Sequence, residues 1–258
     1  MTEHVKIVVA DHVMHITLAR PEKKNALTQA MYVAVGEALT RAESDPTVRV
    51  VLIDSDGDSF TAGNDIADFA AIATGASSRE QMQTHIFLEA LARGTKPYVA
   101  AVAGLAVGVG VTMLMHCDVS YVAEDARLST PFVNLALVPE AASTWLIPAR
   151  IGYARAFQLF ALGEPIDGKT AAAIGLVTAA LPAAEVRAKA LATAKALAAK
   201  PAGALQATKK LMRDSAAILA VMAREGEAFG NRLRSPEAAE AFRAFAERRA
   251  PDFSKIQG

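Results

Sequence analysis

The stretch from Val99 to Trp145 constrains the fold of this chain more than any other. Its first part, from Val99 to Thr112, reads V-A-A-V-A-G-L-A-V-G-V-G-V-T and carries no acid, base or nucleophile. Its last part reads T-P-F-V-N-L-A-L-V-P-E-A-A-S-T-W and carries one carboxylate, Glu140, in an otherwise apolar run. A glycine-rich backbone beside one isolated carboxylate predicts a site in which N–H groups stabilise negative charge and one proton moves.

The composition limits the class of protein. The 258 residues, 52% of them hydrophobic, suffice for one large domain with a sizeable core. The balance of 27 Lys plus Arg against 27 Asp plus Glu argues against nucleic-acid binding, which needs a basic surface. Cys117 is the only cysteine, which excludes an internal disulfide and favours a reducing compartment. Neither terminus carries a signal-peptide core or a peroxisomal address, so we expect a cytoplasmic protein.

The apolar run from Tyr98 to Met115 has about the length of a membrane span. Gly104, Gly108 and Gly110 interrupt it, and charged flanks are lacking. We therefore interpret the run as a buried strand, a glycine turn and a buried helix, and expect no membrane contact.

Hydrophobic periodicity predicts an α/β fold, in which strand–strand–helix units are followed by helices. The predicted strands cover residues 5–9, 13–18, 48–53, 98–102 and 119–122. The predicted helices cover residues 29–43, 83–92, 154–162, 184–198, 202–213 and 236–249, with a further short helix after Ile66. Thr28 and Ser235 are predicted N-caps, Gly163 is a predicted C-cap, and the polar residues 75–78 are a predicted mobile loop. We divide the chain into a core, residues 1–197, and a helical C-terminal segment, residues 198–258.

Three patterns resemble known sites but fail on inspection. Gly163 to Thr170 reads G-E-P-I-D-G-K-T, like a phosphate-binding P-loop, yet it follows a predicted helix rather than a strand, and its two acids would repel phosphate. Asp167 is instead a predicted helix N-cap. Gly108-Val109-Gly110 lacks the third glycine of a dinucleotide fingerprint, since position 113 is Met113. His116-Cys117-Asp118 places adjacent side chains in different directions, unlike a catalytic triad, and we interpret it as a buried helix end with a structural cysteine. The five histidines show no metal-ligand spacing, so we predict no metal site.

The segment F-T-A-G-N-D-I, from Phe60 to Ile66, allows two interpretations. It is either a turn in which Asp65 caps the next helix, or a loop that points the Asn64 N–H into a cleft. Paired with the glycine-flanked Val109, the second interpretation becomes specific, because a carbonyl oxyanion is typically held by two converging N–H groups.

Together these segments resemble the crotonase superfamily, the enoyl-CoA hydratase/isomerase family, over nearly the whole chain. The matching segments are R-P-E-K-K-N-A-L, F-T-A-G-N-D-I-A-D-F, A-V-A-G-L-A-V-G-V-G, C-D-V-S-Y-V-A-E-D-A-R-L and A-F-A-E-R-R-A-P-D-F. The resemblance implies a spiral of ββα units whose helical C-terminal segment mediates trimerisation. It further implies an acyl-CoA thioester substrate with no separate cofactor, a homotrimer or dimer of trimers, and the N–H groups of Asn64 and Val109 as oxyanion donors.

The departures from the family pattern narrow the choice of reaction. Hydratases of this family use two glutamates, and their positions fall on Thr112 and Phe132 here. Glu140 matches the single base of the peroxisomal-type Δ3,Δ2-enoyl-CoA isomerases, and the form G-N-D-x-x-x-F, from Gly63 to Phe69, also resembles that subgroup. We therefore predict an isomerase. A hydratase in which Glu140 alone activates water, and a catalytically idle acyl-CoA-binding relative, remain alternatives.

The resemblance also implies contacts with the rest of the substrate. Lys23 and Lys24 are candidates for the CoA phosphates, and the carbonyls of Ala62 and Ile66 for the adenine. Arg248 and Phe253 are expected to cover the CoA from the C-terminal helix. The other predicted substrate-binding residues are those that flank the two donors, Gly63, Asp65, Ala67 and Gly108, and the apolar Phe132, Leu135, Leu137 and Trp145. The pKa of Glu140 is left open, because apolar neighbours raise it and a helix beginning near Ala141 lowers it.

Overall fold

A computed structural model describes residues 2–65 and 83–256, and it confirms the predicted α/β class. Two sheets contain the strands of the described chain. The strands are β1 (Val5–Ala10), β2 (Val13–Leu18), β3 (Val50–Ser55), β4 (Tyr98–Val102), β5 (Leu105–Val107), β6 (Val119–Ala123), β7 (Arg127–Ser129), β8 (Ile166–Asp167) and β9 (Ala179–Leu181). The five predicted strands are all present, with bounds that differ by at most two residues.

The larger sheet has the order β1-β2-β3-β4-β6-β9. β1 and β2 form an antiparallel hairpin in which Val5 pairs with Leu18, and each later neighbour in the sheet is parallel to the one before it. β4 is buried along its whole length, as expected of a parallel strand that is covered on both faces. This burial explains why its sequence is an unbroken apolar run.

The smaller sheet, β5-β7-β8, carries one edge of the site. β5 is parallel to β7, so the turn after Val107 lies beside the residues that follow Ser129. Isolated parallel bridges join Thr61 to Ala106 and Leu27 to Asn64. The loop around residues 61–64 is therefore held between the segment at Leu27 and β5.

The helices include most of those predicted. They are α1 (Gln29–Ser44), α2 (Thr84–Arg93), α3 (Val109–Thr112), α4 (Ser143–Ile151), α5 (Tyr153–Leu162), α6 (Gly168–Ala173), α7 (Ala183–Ala198), α8 (Ala202–Met212), α9 (Ser215–Leu233) and α10 (Pro236–Ala246). The side chains of Thr28 and Ser235 cap α1 and α10 as predicted. Gly163 ends α5 with φ +64°, and Asp167 caps α6 through the Thr170 N–H, which confirms that G-E-P-I-D-G-K-T is not a P-loop.

Two helix predictions need correction. The last helix ends at Ala246 rather than Arg249, because Arg248 has φ +56° and cannot continue a right-handed helix. α9, which is 19 residues long, is missing from the sequence prediction. The predicted short helix after Ile66 and the loop at 75–78 lie outside the described residues.

The main core lies between the larger sheet and the helices. α7 packs on β3, β4 and β6, while α1 packs on α2. α9 in turn contacts α2, which places part of the C-terminal helical segment beside the helices of the core. Within the part of the chain described here, no helix is long and apolar enough to cross a membrane.

Candidate active site

Glu140 lies in the loop just before α4, with one carboxylate oxygen bonded and the other free. The Thr112 hydroxyl, at the end of α3, donates a hydrogen bond to Oε1 at 2.6 Å. Oε2 is buried and has no hydrogen-bond partner among the described residues. A buried oxygen without a partner is unfavourable, and here it belongs to a residue that lines a cavity. The arrangement leaves one lone oxygen available to a bound molecule.

Burial decides the protonation of Glu140. Desolvation raises its pKa to about 7, the hydrogen bond from Thr112 opposes this, and the nearby negative charge of Glu225 adds to it. The helix that was expected to lower the pKa begins at Ser143, with Ala142 at the N-cap position. A carboxyl with a pKa near neutrality can both accept and return a proton.

The N–H groups of Asn64 and Val109 are both free to donate. In the parallel bridge, Leu27 donates to the Gly63 carbonyl and accepts from the Asp65 N–H, which turns the Asn64 N–H away from Leu27. Val109 is the first residue of α3, where a helix leaves its N–H groups without intrahelical acceptors. Neither N–H has an acceptor within the described ranges. Of the two residues, Asn64 lines the cavity that contains Glu140, whereas Val109 is not among its lining residues.

Two glycines fit the donor loops together. Gly63 has φ +87°, and a Cβ there would lie 2.8 Å from the Val107 carbonyl oxygen. Gly108 has φ +55° and ψ −113°, a backbone conformation that only glycine adopts readily. Gly63 therefore permits the close approach of the loop to β5, and Gly108 sets the direction of the Val109 N–H.

The side chain of Asn64 is held as well. The hydroxyl of Tyr32, on α1, donates to Asn64 Oδ1. Tyr32 is fully buried, and its ring packs against Phe87 of α2 at a centroid distance of 5.6 Å. The core of the protein therefore fixes the position of the Asn64 side chain.

A cavity of about 570 Å³ contains both Asn64 and Glu140. Its lining is mostly apolar and comes largely from α2 and α9. The lining residues are Asn64, Thr84, His85, Leu88, Glu89, Arg93, Glu140, Ala141, Leu219, Met222, Ala223, Gly226 and Phe229. Glu89, the second acid among them, is half-exposed and lies 3.5 Å from Arg93, so its surroundings differ from those of Glu140.

Known proteins share this architecture. Residues 9–256 match the family model described as enoyl-CoA hydratase/isomerase. The chain belongs to the enoyl-CoA hydratase/isomerase family. It is 33% identical to a probable enoyl-CoA hydratase of Bacillus subtilis (96% of this chain, 98% of the relative). It is 34% identical to the enoyl-CoA delta isomerase 2 of Rattus norvegicus (77% and 51%).

A solved structure extends the similarity to the whole fold. The enoyl-CoA hydratase/isomerase of Pseudoalteromonas atlantica superimposes with a TM-score of 0.91 at 37% identity, over 97% of this chain and 100% of that one. The predicted crotonase-like fold is thereby confirmed. Because both hydratases and isomerases occur among the relatives, membership of the enoyl-CoA hydratase/isomerase family does not by itself choose between the two reactions.

Lys23 and Lys24 lie beside the loop that contains Ala62 and Asn64. Neither lysine lines the cavity. Both are exposed, and Lys24 has φ +50° after a 3-10 turn. The Lys24 carbonyl accepts from the Ala62 N–H at 2.8 Å, so the two segments are attached. Asp65 forms an ion pair with Arg20 at 2.9 Å. Ile66 and Ala67 lie outside the described residues.

The other predicted contacts do not line the described cavity. Phe132 lies near Gly108 but packs on Phe160, 6.5 Å between centroids, in a small cluster with Leu135 and Leu137. Trp145 is 44% exposed. Arg248 and Phe253 lie on the surface beyond α10. The apolar lining comes instead from α2 and α9, which sequence reasoning did not assign to it.

Sequence reasoning missed three residues around Glu140. Thr112 was noted only because it occupies the position of a hydratase glutamate, although its hydroxyl donates a hydrogen bond to the Glu140 carboxylate. His116 was interpreted as part of a buried helix end, and it does lie in a buried 3-10 turn, but its ring contacts the Glu140 loop. Glu225 went unnoticed with the whole of α9. Asp214, which caps α9 through the Ala217 N–H, was the signal that could have located this helix.

Proposed function

We propose that this protein is a Δ3,Δ2-enoyl-CoA isomerase that moves a double bond with a single base. The observation that carries the proposal is the state of the Glu140 carboxylate. Its Oε1 is held by Thr112 while its buried Oε2 has no partner among the described residues, in the cavity that also contains Asn64. One base with one free oxygen suits a reaction in which the same group removes and returns a proton.

The proton transfer begins at C2 of a 3-enoyl-CoA thioester. Its carbonyl oxygen accepts hydrogen bonds from the N–H groups of Asn64 and Val109. Oε2 of Glu140 takes a proton from C2, and the electron pair of the broken C–H bond moves into the thioester to form a dienolate. The protonated Glu140 then delivers the proton to C4, the double bond shifts to C2–C3, and the charge leaves the carbonyl oxygen.

The surroundings of Glu140 suit this cycle. A pKa of about 7 leaves much of the carboxylate ionised at neutral pH, yet makes it a stronger base than an exposed glutamate. The two N–H donors stabilise the dienolate, and one such donor typically contributes about 3 kcal/mol in the transition state. CoA is part of the substrate, so we expect turnover without an added cofactor.

Hydration of 2-enoyl-CoA is the second candidate, because several relatives are named as hydratases. In that reaction Glu140 would have to activate a water and also supply the proton for C2. Thr112 and Phe132 occupy the positions that the family resemblance gives to the two hydratase glutamates, and neither side chain can exchange a proton at neutral pH. This difference favours the isomerase.

The experiment uses the purified protein with 3-enoyl-CoA and, separately, with 2-enoyl-CoA. Double-bond migration at unchanged product mass supports the isomerase, whereas the gain of one water supports the hydratase. Binding of either ester without turnover would identify a catalytically idle relative. Glu140→Gln should abolish isomerisation, while Glu164→Gln, a matched change at an exposed acid, should retain it. Full activity in Glu140→Gln would refute the assignment of the base.

A further inference from the structure

The two residues after Glu140 have an unfavourable backbone conformation. Ala141 has φ +63° and Ala142 has φ +56°, so two consecutive alanines are left-handed. Each such residue costs roughly 1–2 kcal/mol when it is not glycine. The conformation persists only if the surroundings fix it, and the structure provides two buried side chains that do so.

The first side chain is Glu225 of α9. Its Oε2 accepts the Ala142 N–H at 2.6 Å, and its Oε1 accepts the Thr144 N–H at 2.9 Å and the Thr144 hydroxyl. Ala142 occupies the N-cap position of α4 but has no capping side chain. A carboxylate from a distant helix therefore performs the capping that the loop cannot provide itself.

The second side chain is His116, which is fully buried. Arg213 contacts its Nδ1, and a guanidinium can only donate, so Nδ1 accepts. Nε2 then carries the proton and donates to the Ala141 carbonyl at 2.8 Å. Burial, together with the charge of Arg213, lowers the pKa of His116 to about 3, which keeps the ring neutral and this tautomer in place.

The two contacts hold opposite sides of one short segment. His116 fixes a carbonyl of the Ala141–Ala142 pair and Glu225 fixes an N–H. Neither side chain lines the cavity itself, whereas Glu140 and Ala141 do. The cavity also receives Gly226, the neighbour of Glu225, so the helix that supplies this contact is also a wall of the site.

Resting on the isomerase function proposed above, we propose that His116 and Glu225 are positioning residues. They hold Ala141 and Ala142 in the left-handed conformation and so direct Oε2 of Glu140 at the substrate. Neither takes part in the proton transfer.

Charged groups surround this segment on several elements. Glu225 raises the pKa of Glu140, and Arg213, Arg150 and Lys209 lower that of His116. The ionisable residues of α2 that line the same cavity are His85, Glu89 and Arg93. Because Glu225 is, among the described residues, the charged group that raises the pKa of Glu140, its removal should change the titration of Glu140.

The first test is Glu225→Gln, with Glu227→Gln, an exposed acid on the same helix, as its control. An amide must turn its NH2 toward one of the N–H donors, so one contact is lost at constant size. We expect kcat to fall about 10- to 100-fold with little change in KM. The acidic limb of the pH profile should move to lower pH, because a negative charge near Glu140 is gone. A purely structural role would lower stability but leave kcat of the folded variant near that of the wild type.

The second test compares His116→Gln with His116→Leu. A glutamine amide can still donate to the Ala141 carbonyl, whereas leucine cannot. We expect His116→Gln to retain about 10-fold more kcat than His116→Leu. Equal rates in two folded variants would overturn the role of His116. This pair also keeps the proposal testable if Glu225→Gln fails to fold.

A third measurement does not depend on turnover. The carboxyl carbon of Glu140, labelled with ¹³C and assigned by comparison with Glu140→Gln, is titrated by NMR. In Glu225→Gln its midpoint should move to lower pH, and in Glu227→Gln it should not move. An unchanged midpoint in Glu225→Gln would overturn the proposal even if the wild-type protein is an isomerase. A wild-type protein without isomerase activity but with the expected titration would instead overturn the proposed function alone.

Discussion

The Thr112 hydroxyl donates to Oε1 of Glu140 at 2.6 Å, while Oε2 of the same carboxylate has no hydrogen-bond partner among the described residues. Thr112 belongs to the short helix that follows the glycine turn, and Glu140 lies 28 residues later in the loop before α4. The contact therefore connects the first and last parts of the stretch from Val99 to Trp145. In the proposed reaction, it leaves Oε2 as the oxygen that accepts the proton from the substrate.

Thr112→Val should raise the pKa of Glu140 above its value of about 7, because the hydrogen bond from Thr112 lowers that pKa. Since the base must be ionised to act, the acidic limb of the kcat/KM profile should move to higher pH. Thr112→Ser keeps the hydroxyl and should leave the midpoint near that of the wild type. A midpoint that stays in place in Thr112→Val would contradict the role of this hydrogen bond.

Glu140→Gln should stabilise the protein at alkaline pH. The pKa of Glu140 is raised from 4.5 to about 7, so the folded state binds the proton more tightly and ionisation opposes folding. This penalty on folding is absent below about pH 4.5, grows between pH 4.5 and pH 7, and is complete above pH 7. By linkage it amounts to about 3 kcal/mol. Urea unfolding of both proteins at pH 4.5 and pH 8 measures it; a free-energy difference that does not depend on pH would be the contrary result.

Gly108→Ala should reduce kcat about 100-fold, as expected for the loss of one oxyanion donor. A Cβ at this position would meet the Phe132 ring at an ordinary 3.8 Å, so the effect comes from the backbone at φ +55° rather than from a clash. Gly152→Ala is the matched control, since Gly152 has φ +81° with open space around it. Both variants should lose stability, but only the first should lose rate in steady-state assays.

Replacing Lys23 and Lys24 together by alanine should raise KM for acyl-CoA esters and leave kcat nearly unchanged. Both side chains are exposed, and the Lys24 backbone carbonyl accepts from the Ala62 N–H, so the two lysines can hold phosphates without touching the reacting atoms. The effect should weaken as ionic strength rises. It should vanish with N-acetylcysteamine thioesters, which lack the phosphates. The double variant Lys200→Ala with Lys210→Ala removes the same charge from exposed positions elsewhere and should behave like the wild type.

The protein should form a trimer or a dimer of trimers. Large apolar side chains are exposed on α5, where the Tyr153 and Phe157 rings stack at 5.9 Å, and at the end of α8, where Leu211 is 89% exposed. Such surfaces favour association. Light scattering coupled to gel filtration gives the mass. A monomer at micromolar concentration would contradict the prediction.

Local patterns were sufficient for much of the fold. The alternation and apolar runs located the strands, and Thr28, Ser235 and Gly163 marked helix ends because capping depends on neighbouring residues only. α9 was not predicted although Asp214 caps it, because its buried residues include Glu225 and Gly230 and so do not form a continuous apolar stripe. The last helix was predicted to extend too far, because the left-handed residue that follows it is Arg248 and not a glycine, the residue that usually marks a helix end.

By itself, the sequence determined the pieces of the candidate site. Glycines at 63 and 108 specify backbone that other residues would strain, and Glu140 is the one acid in its run, so candidate donors and a candidate base could be named from local chemistry together with the family resemblance. Only the tertiary structure decided how the base is held. Thr112, His116 and Glu225 reach the Glu140 loop from positions 25 to 83 residues away from their partners. Contacts over such separations arise from the packing of whole elements, and burial in that packing, which no local pattern records, raises the pKa of Glu140.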